Sequence, residues 1–300
     1  MDTSYVIGID IGGTYFRIGE VNTQYEISFL KKCPVRDIFT TDVPLADLER
    51  DLKEYLAESA LTGKVTAIVI GFPATLNRER TMVLQAPNIR FMERLPVVEW
   101  LTAALGIRVL IERDVCLTVL YDIRKYHIPM CEILIGCYFG TGVGNAVCLD
   151  HRPLIGSHGT AGELGHIPVL RDREACGCGN RGCMENLAGG KYLAKLCRDV
   201  YRDTDISDLF RLHGKEKPLL KFVDAMAVAV ATEINILDPD YILIGGGVPN
   251  MKDFPRGLLE QRIREHTRKP YPEQDLHLIF TEDEQTKTIL GSAYYVEMNR

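Results

Sequence analysis

One imidazole and three thiols, His166, Cys176, Cys178 and Cys183, crowd into the segment GELGHIPVLRDREACGCGNRGCMEN. Zinc takes such ligands in a tetrahedron, and a full Cys₃His set leaves no position open for substrate or water. The implied Zn²⁺ is therefore structural. Glu163 and Glu185 flank the set, where on residue type alone they read as solvated surface acids, the usual fate of Glu. Three glycine-rich stretches suit phosphate: Asp10-Ile-Gly12-Gly13-Thr14, Gly140-Thr141-Gly142-Val143-Gly144 and Gly245-Gly246-Gly247. Glycine N–H groups can close around phosphate oxygens with no Cβ in the way, and the Thr14 hydroxyl adds a donor. Asp10 can hold Mg²⁺ through water. A plain hairpin also favours Gly-Gly, so the first stretch alone leaves both readings open. Two phosphate-sized turns at equivalent positions, with the third after a buried strand, suit a nucleotide lying between two lobes. No GxxxxGK[ST] occurs, so the turns are not a Walker motif.

The elements that must carry these residues read as α/β. VIGID, YFRIGEV and EISFL form a three-stranded meander. A helix over about 45–60 precedes the buried strand VTAIVIGF, and another over 97–105 precedes RVLIERD. Asp114 ends that strand and starts a helix over about 115–126, which makes it an N-cap, a proton acceptor, or both. In EILIGCYFGTGVGNAVCLD a second hairpin repeats the first one's pattern, as an ancient duplication would leave it. Leu219, Val223, Met226, Val230, Ile234 and Leu237 form the stripe of a long helix that stops before Asp238-Pro239. YILIGGGV supplies a strand and glycine turn. LHLIF precedes a last helix over about 287–298, expected to pack on the first lobe. The division expected is 1–114 plus about 287–300 as a small lobe, and 115–286 as a large lobe with the zinc site.

A chain of 300 residues with 46% hydrophobic and 25% charged residues has the composition of an ordinary globular enzyme. The net charge of -6 and the absence of a Lys/Arg run argue against nucleic acid as a partner. No secretory signal pattern and no apolar run of ~18 residues are found, so no membrane association and a cytoplasmic location are expected. The remaining cysteines, Cys33, Cys116, Cys131, Cys137, Cys148 and Cys197, are scattered in mostly apolar settings and read as reduced core residues.

The paired glycine turns resemble those of the actin, hexokinase and heat-shock ATPase superfamily. Within it, CGCGNRGCME after GELGH, with DIGGT, GFPA, FGTGVG and IGGGV in order, is similar to the ROK (repressor, open reading frame, kinase) family over essentially the whole chain. The resemblance implies the actin-like ATPase (ribonuclease H-like) fold, with two lobes around a nucleotide and sugar cleft, and ATP-dependent sugar phosphorylation. It implies Asp114 as catalytic base and a sugar site of Asn88, Arg113, Asp114, Glu163, His166 and Glu185. Zinc would pin His166 through one ring nitrogen and leave the other for a sugar hydroxyl. Glucose kinases of the family typically carry Asn just before the catalytic Asp, where this chain has Arg113, a longer group that only donates. With ERDV, GFPA, APN and FGTGVG, this resembles the allose kinase branch, which implies D-allose to D-allose 6-phosphate. Glucose, fructose and N-acetylmannosamine are the alternatives. The family's regulators carry a helix-turn-helix before the first hairpin, for which the nine residues ahead of Asp10 leave no room. Family members commonly dimerise, which makes a homodimer the expected state.

Overall fold

A computed structural model describes residues 4–59, 61, 64–170 and 172–299. The chain forms two compact units, one of Met1–His127, Ile155–Ala161 and Glu284–Arg300, the other of Ile128–Leu154 and Gly162–Asp283.

In the first unit, strands Ser4–Ile11, Tyr15–Val21 and Ile27–Pro34 form the antiparallel meander read from the sequence. Lys64–Phe72 then pairs parallel with Ser4–Ile11, and Val109–Arg113 parallel with Lys64–Phe72. The inner strands read as continuous apolar runs because both of their faces are buried. Ile7, Ile9, Ile68 and Ile70 pack with Leu48 and Leu52 of helix Pro44–Glu58, while Val6, Ala67 and Val69 pack with Ile289 and Val296 on the other side.

The last helix, Lys287–Met298, lies in this unit as expected. It brings helix Asp114–Lys125 with it, which the sequence division at 114 had given to the other lobe. The reason is long-range packing. A buried Lys287–Asp122 ion pair of 2.7 Å joins the two helices, and a Cβ on Gly291 would stand 1.9 Å from the Leu117 carbonyl oxygen. Gly291→Ala is accordingly expected to destabilise the protein. Overpacking against backbone costs up to about 3 kcal/mol, against about 1 kcal/mol that alanine gains over glycine in a helix. Denaturant unfolding should show a net loss of about 2 kcal/mol. A midpoint equal to wild type would contradict that packing.

The second unit repeats the first sheet's topology. Ile133–Phe139 and Val143–Leu149 form the antiparallel hairpin, the short strand Arg152–Pro153 extends it, and Tyr241–Gly245 and Leu278–Phe280 add parallel neighbours on the other side. Each sheet thus has three antiparallel-connected strands followed by two parallel ones, the order a duplication predicts. The long helix Lys217–Leu237 covers this sheet with buried Leu219, Val223, Met226, Val230 and Ile234, and stops where Asp238 turns left-handed at φ 49°. Buried Asn145, just past the glycine turn, donates to Glu233 Oε2 at 2.8 Å and ties the hairpin to this helix. Burial pushes Glu233 up to about 7. Helices Gly190–Asp199 and Arg256–His266 and the small hairpin of Thr75–Leu76 with Val83–Gln85 were not anticipated from the sequence.

Candidate active site

Parallel pairing decides which residues of the first unit meet. Asp10 lies opposite Gly71, Gly71 opposite Glu112, and Phe72 opposite Arg113, so three strands end along one edge. Carboxyl edges of this kind are where open α/β sheets bind ligands. Beyond the edge come the turn of Gly12, Gly13 and Thr14, closed by Gly12 N–H to the Tyr15 carbonyl at 2.9 Å, and the start of helix Asp114–Lys125. Exposed Asn88 joins them, its Cβ 3.0 Å from where a Gly13 Cβ would stand.

Three details in this unit differ from the sequence reading or add to it. Arg113 is the N-cap residue and Asp114 the first residue of the helix, so Asp114 does not cap it. Its Oδ1 instead accepts the neighbouring Val115 N–H at 2.7 Å. Asp10 Oδ2 accepts from Arg17 Nη1 at 2.8 Å, with burial pushing the carboxyl up and Arg17 pulling it back. Arg17 went unnoticed although it faces Asp10 across the hairpin, a pairing the symmetric Gly-Gly turn could have revealed. Arg113, assigned to ring hydroxyls, is buried and gives one N–H to the Ala161 carbonyl at 2.6 Å.

The second unit gathers the remaining site residues. The turn Gly140, Thr141, Gly142 and Gly144 leaves strand Ile133–Phe139, and Val248 N–H bonds the Phe139 carbonyl at 2.9 Å, which seats Gly245, Gly246 and Gly247 beside it. Glu185 opens a short helix, and its Oε2 accepts the Val143 N–H of the turn at 3.0 Å. A side chain on Gly142 would collide with that carboxylate, its Cβ standing 2.2 Å away. The GELGH segment forms a turn of 3-10 helix at Leu164–His166, where a Cβ on Gly165 would stand 2.8 Å from the Val143 carbonyl. Glu163 Oε2 lies 3.6 Å from His166 Nε2. Two carboxylates and an imidazole therefore adjoin a phosphate-sized turn.

His166, Cys176, Cys178 and Cys183 also come together, with all four donor atoms within 4.8 Å of one another. A tetrahedral ion with metal–sulfur bonds of about 2.3 Å separates its sulfurs by about 3.8 Å. Cys178 and Cys183 sulfurs are 3.7 Å apart, and Cys176 Sγ is 3.6 Å from His166 Nδ1. The donor set fits a tetrahedral cation, with Nε2 of His166 turned to Glu163. Burial pushes the Cys183 thiol up to about 12, and Cys178 and Cys176 add to the shift. Three thiolates side by side need a cation to offset their mutual repulsion.

The ROK family model matches residues 6–299, and the chain belongs to the ROK family. A glucokinase of Thermotoga maritima is 29% identical over 282 residues, covering 86% of each chain. An N-acetyl-D-glucosamine kinase of Haemophilus influenzae is 28% identical over 272 residues, covering 81% of this chain and 84% of that protein. Among solved structures, a ROK hexokinase from Thermus thermophilus is similar with a TM-score of 0.78 at 25% identity, over 98% of this chain and 99% of that one. The fold is that of the actin-like ATPases. No helix among the described residues is long and apolar enough to cross a membrane.

Proposed function

We propose that this ROK phosphotransferase moves the γ-phosphoryl group of ATP to the 6-hydroxyl of an aldohexose. The observation that carries the reading is Glu185, whose carboxylate holds the Val143 N–H of a phosphate-sized turn while Glu163 and His166 stand beside that turn. Sugar-binding acceptors next to a phosphate cradle are what transfer between a sugar and a nucleotide requires.

Asp114 acts as general base and takes the proton of the attacking hydroxyl. Asn88, Glu163, His166 and Glu185 bind the other hydroxyls, and the glycine turns at 12–14, 140–144 and 245–247 take the phosphates through backbone N–H groups. Mg²⁺, held through water by Asp10, would neutralise phosphate charge. Zn²⁺ on His166, Cys176, Cys178 and Cys183 would supply no chemistry to the transfer. Held among these ligands, the His166 ring would keep its orientation, with Nε2 beside Glu163 and available to a sugar hydroxyl.

Two readings of the sugar remain. The names of the two kinase relatives support a gluco-configured aldohexose, glucose first. D-Allose, which differs from glucose in the orientation of its 3-hydroxyl, is the second, supported by the likeness of ERDV, GFPA, APN and FGTGVG to the allose kinase branch. A pocket built for one hydroxyl pattern leaves donors unpaired with an epimer, at about 1–3 kcal/mol per group. Either glucose or allose should therefore exceed mannose and fructose in kcat/KM by about one to two decades. A coupled assay over D-glucose, D-allose, D-mannose, D-fructose, N-acetylglucosamine and N-acetylmannosamine checks this and ranks the two readings. Fructose or mannose as the best substrate would contradict both.

A further inference from the structure

One buried carboxylate joins the Arg80 guanidinium and the Arg113 main chain in the interior of the first unit. Glu112 is 1% exposed and takes Arg80 Nε at 2.9 Å, the Arg113 backbone N–H at 2.8 Å and the Tyr295 hydroxyl. Arg80 and Arg113 are themselves 8% and 7% exposed. Their further N–H groups cannot go to water, and a buried donor left without a partner is costly. Two of them reach one loop: Arg80 Nη1, which also donates to the Asn77 carbonyl at 3.2 Å, donates to the Gly159 carbonyl at 3.0 Å, and Arg113 Nη1 donates to the Ala161 carbonyl at 2.6 Å.

That loop has an unusual place in the chain. Ile155–Ala161 belongs to the first unit, although Leu154 before it and Gly162 after it belong to the second. It is folded on itself, with Gly159 N–H to the Gly156 carbonyl and Ala161 N–H to the Ile155 carbonyl. Gly159 has φ +82°, and a Cβ there would stand 2.5 Å from the Leu76 carbonyl oxygen. Two residues past Ala161 comes Glu163.

We propose that Arg113 is a positioning residue and not a sugar ligand: with Arg80 it grips the carbonyls of Gly159 and Ala161 and so fixes the loop that delivers Glu163. The proposal rests on the reading of Glu163 as a sugar-binding carboxylate. A guanidinium suits this task because its charge is permanent and its donors are held in a rigid fork that can serve fixed acceptors.

The test is hydrogen exchange of the full chain without sugar or nucleotide, together with steady-state kinetics on the best hexose. A hydrogen bond from a charged donor supports about a tenfold slowing of local opening. Arg113→Asn should speed exchange at the Gly159 and Ala161 amides by about tenfold, leave strand Ser4–Ile11 unchanged, and raise the sugar KM by about tenfold. Arg113→Lys, which keeps one donor within reach of the Ala161 carbonyl, should recover most of both effects. Gly159→Ala disturbs the same loop with Arg113 intact and should reproduce the KM rise. It also decides the matter if Arg113→Asn does not fold. Unchanged loop exchange in Arg113→Asn with an altered KM would make Arg113 a direct sugar contact and overturn the proposal. Faster exchange with an unaltered KM would overturn it as well, since the loop would then not set the site. A wild-type chain that phosphorylates no hexose would remove the kinase reading, and the exchange result would then decide the clamp by itself.

Discussion

Asp114→Asn is expected to lower turnover by about 10²–10⁴-fold, the usual contribution of a general base, while sugar and ATP still bind. The substitution is close to isosteric, and the amide oxygen can keep the 2.7 Å bond from Val115 N–H that Asp114 Oδ1 makes at the start of its helix. Loss of a negative charge in the first turn of that helix costs about 0.3–1 kcal/mol, too little to unfold the unit. The effect should therefore appear in kcat, with sugar affinity by calorimetry within a few-fold of wild type. Turnover near the wild-type rate would remove Asp114 from the reaction.

The second large effect is expected at the metal cluster. Native protein should carry about one zinc per chain, and Cys178→Ala should lose it, because three donors hold zinc far less well than a closed set of four. Sugar affinity should fall with the metal by about 10–100-fold, the scale on which groups that orient a site ligand act. The route is His166: its Nδ1 lies 3.6 Å from Cys176 Sγ, while Nε2 faces Glu163. Without the metal the ring can rotate and its hydrogen-bonding edge is no longer fixed. Elemental analysis of wild type and variant, with sugar affinity measured on the same samples, checks both parts. Zinc-free native protein, or a zinc-free variant that binds sugar normally, would contradict the account.

Much of this arrangement was legible in the sequence, for identifiable reasons. Glycine turns between apolar strands, and apolar stripes at helical spacing, are local signals. They located both hairpins and placed helices near Val97–Leu105 and Lys287–Met298. The Cys₃His spacing is local as well. What the sequence could not disclose depends on contacts between distant positions. Nothing near Arg113 announces that its guanidinium reaches the Ala161 carbonyl, 48 residues on, or that Arg80 reaches Gly159. The misplaced boundary at 114 has the same origin, since Lys287 and Gly291 hold helix Asp114–Lys125 in the first unit. Arg17 beside Asp10 was the accessible omission, because cross-strand partners follow from a hairpin's turn.

The central claim, transfer of a phosphoryl group from ATP to a hexose, is tested most directly by phosphorus NMR of the native chain with MgATP and each aldohexose in turn. The account predicts a hexose 6-phosphate resonance growing in step with ADP, and only when the sugar is present. ATP hydrolysed equally well without sugar, or no turnover with any hexose, would contradict it.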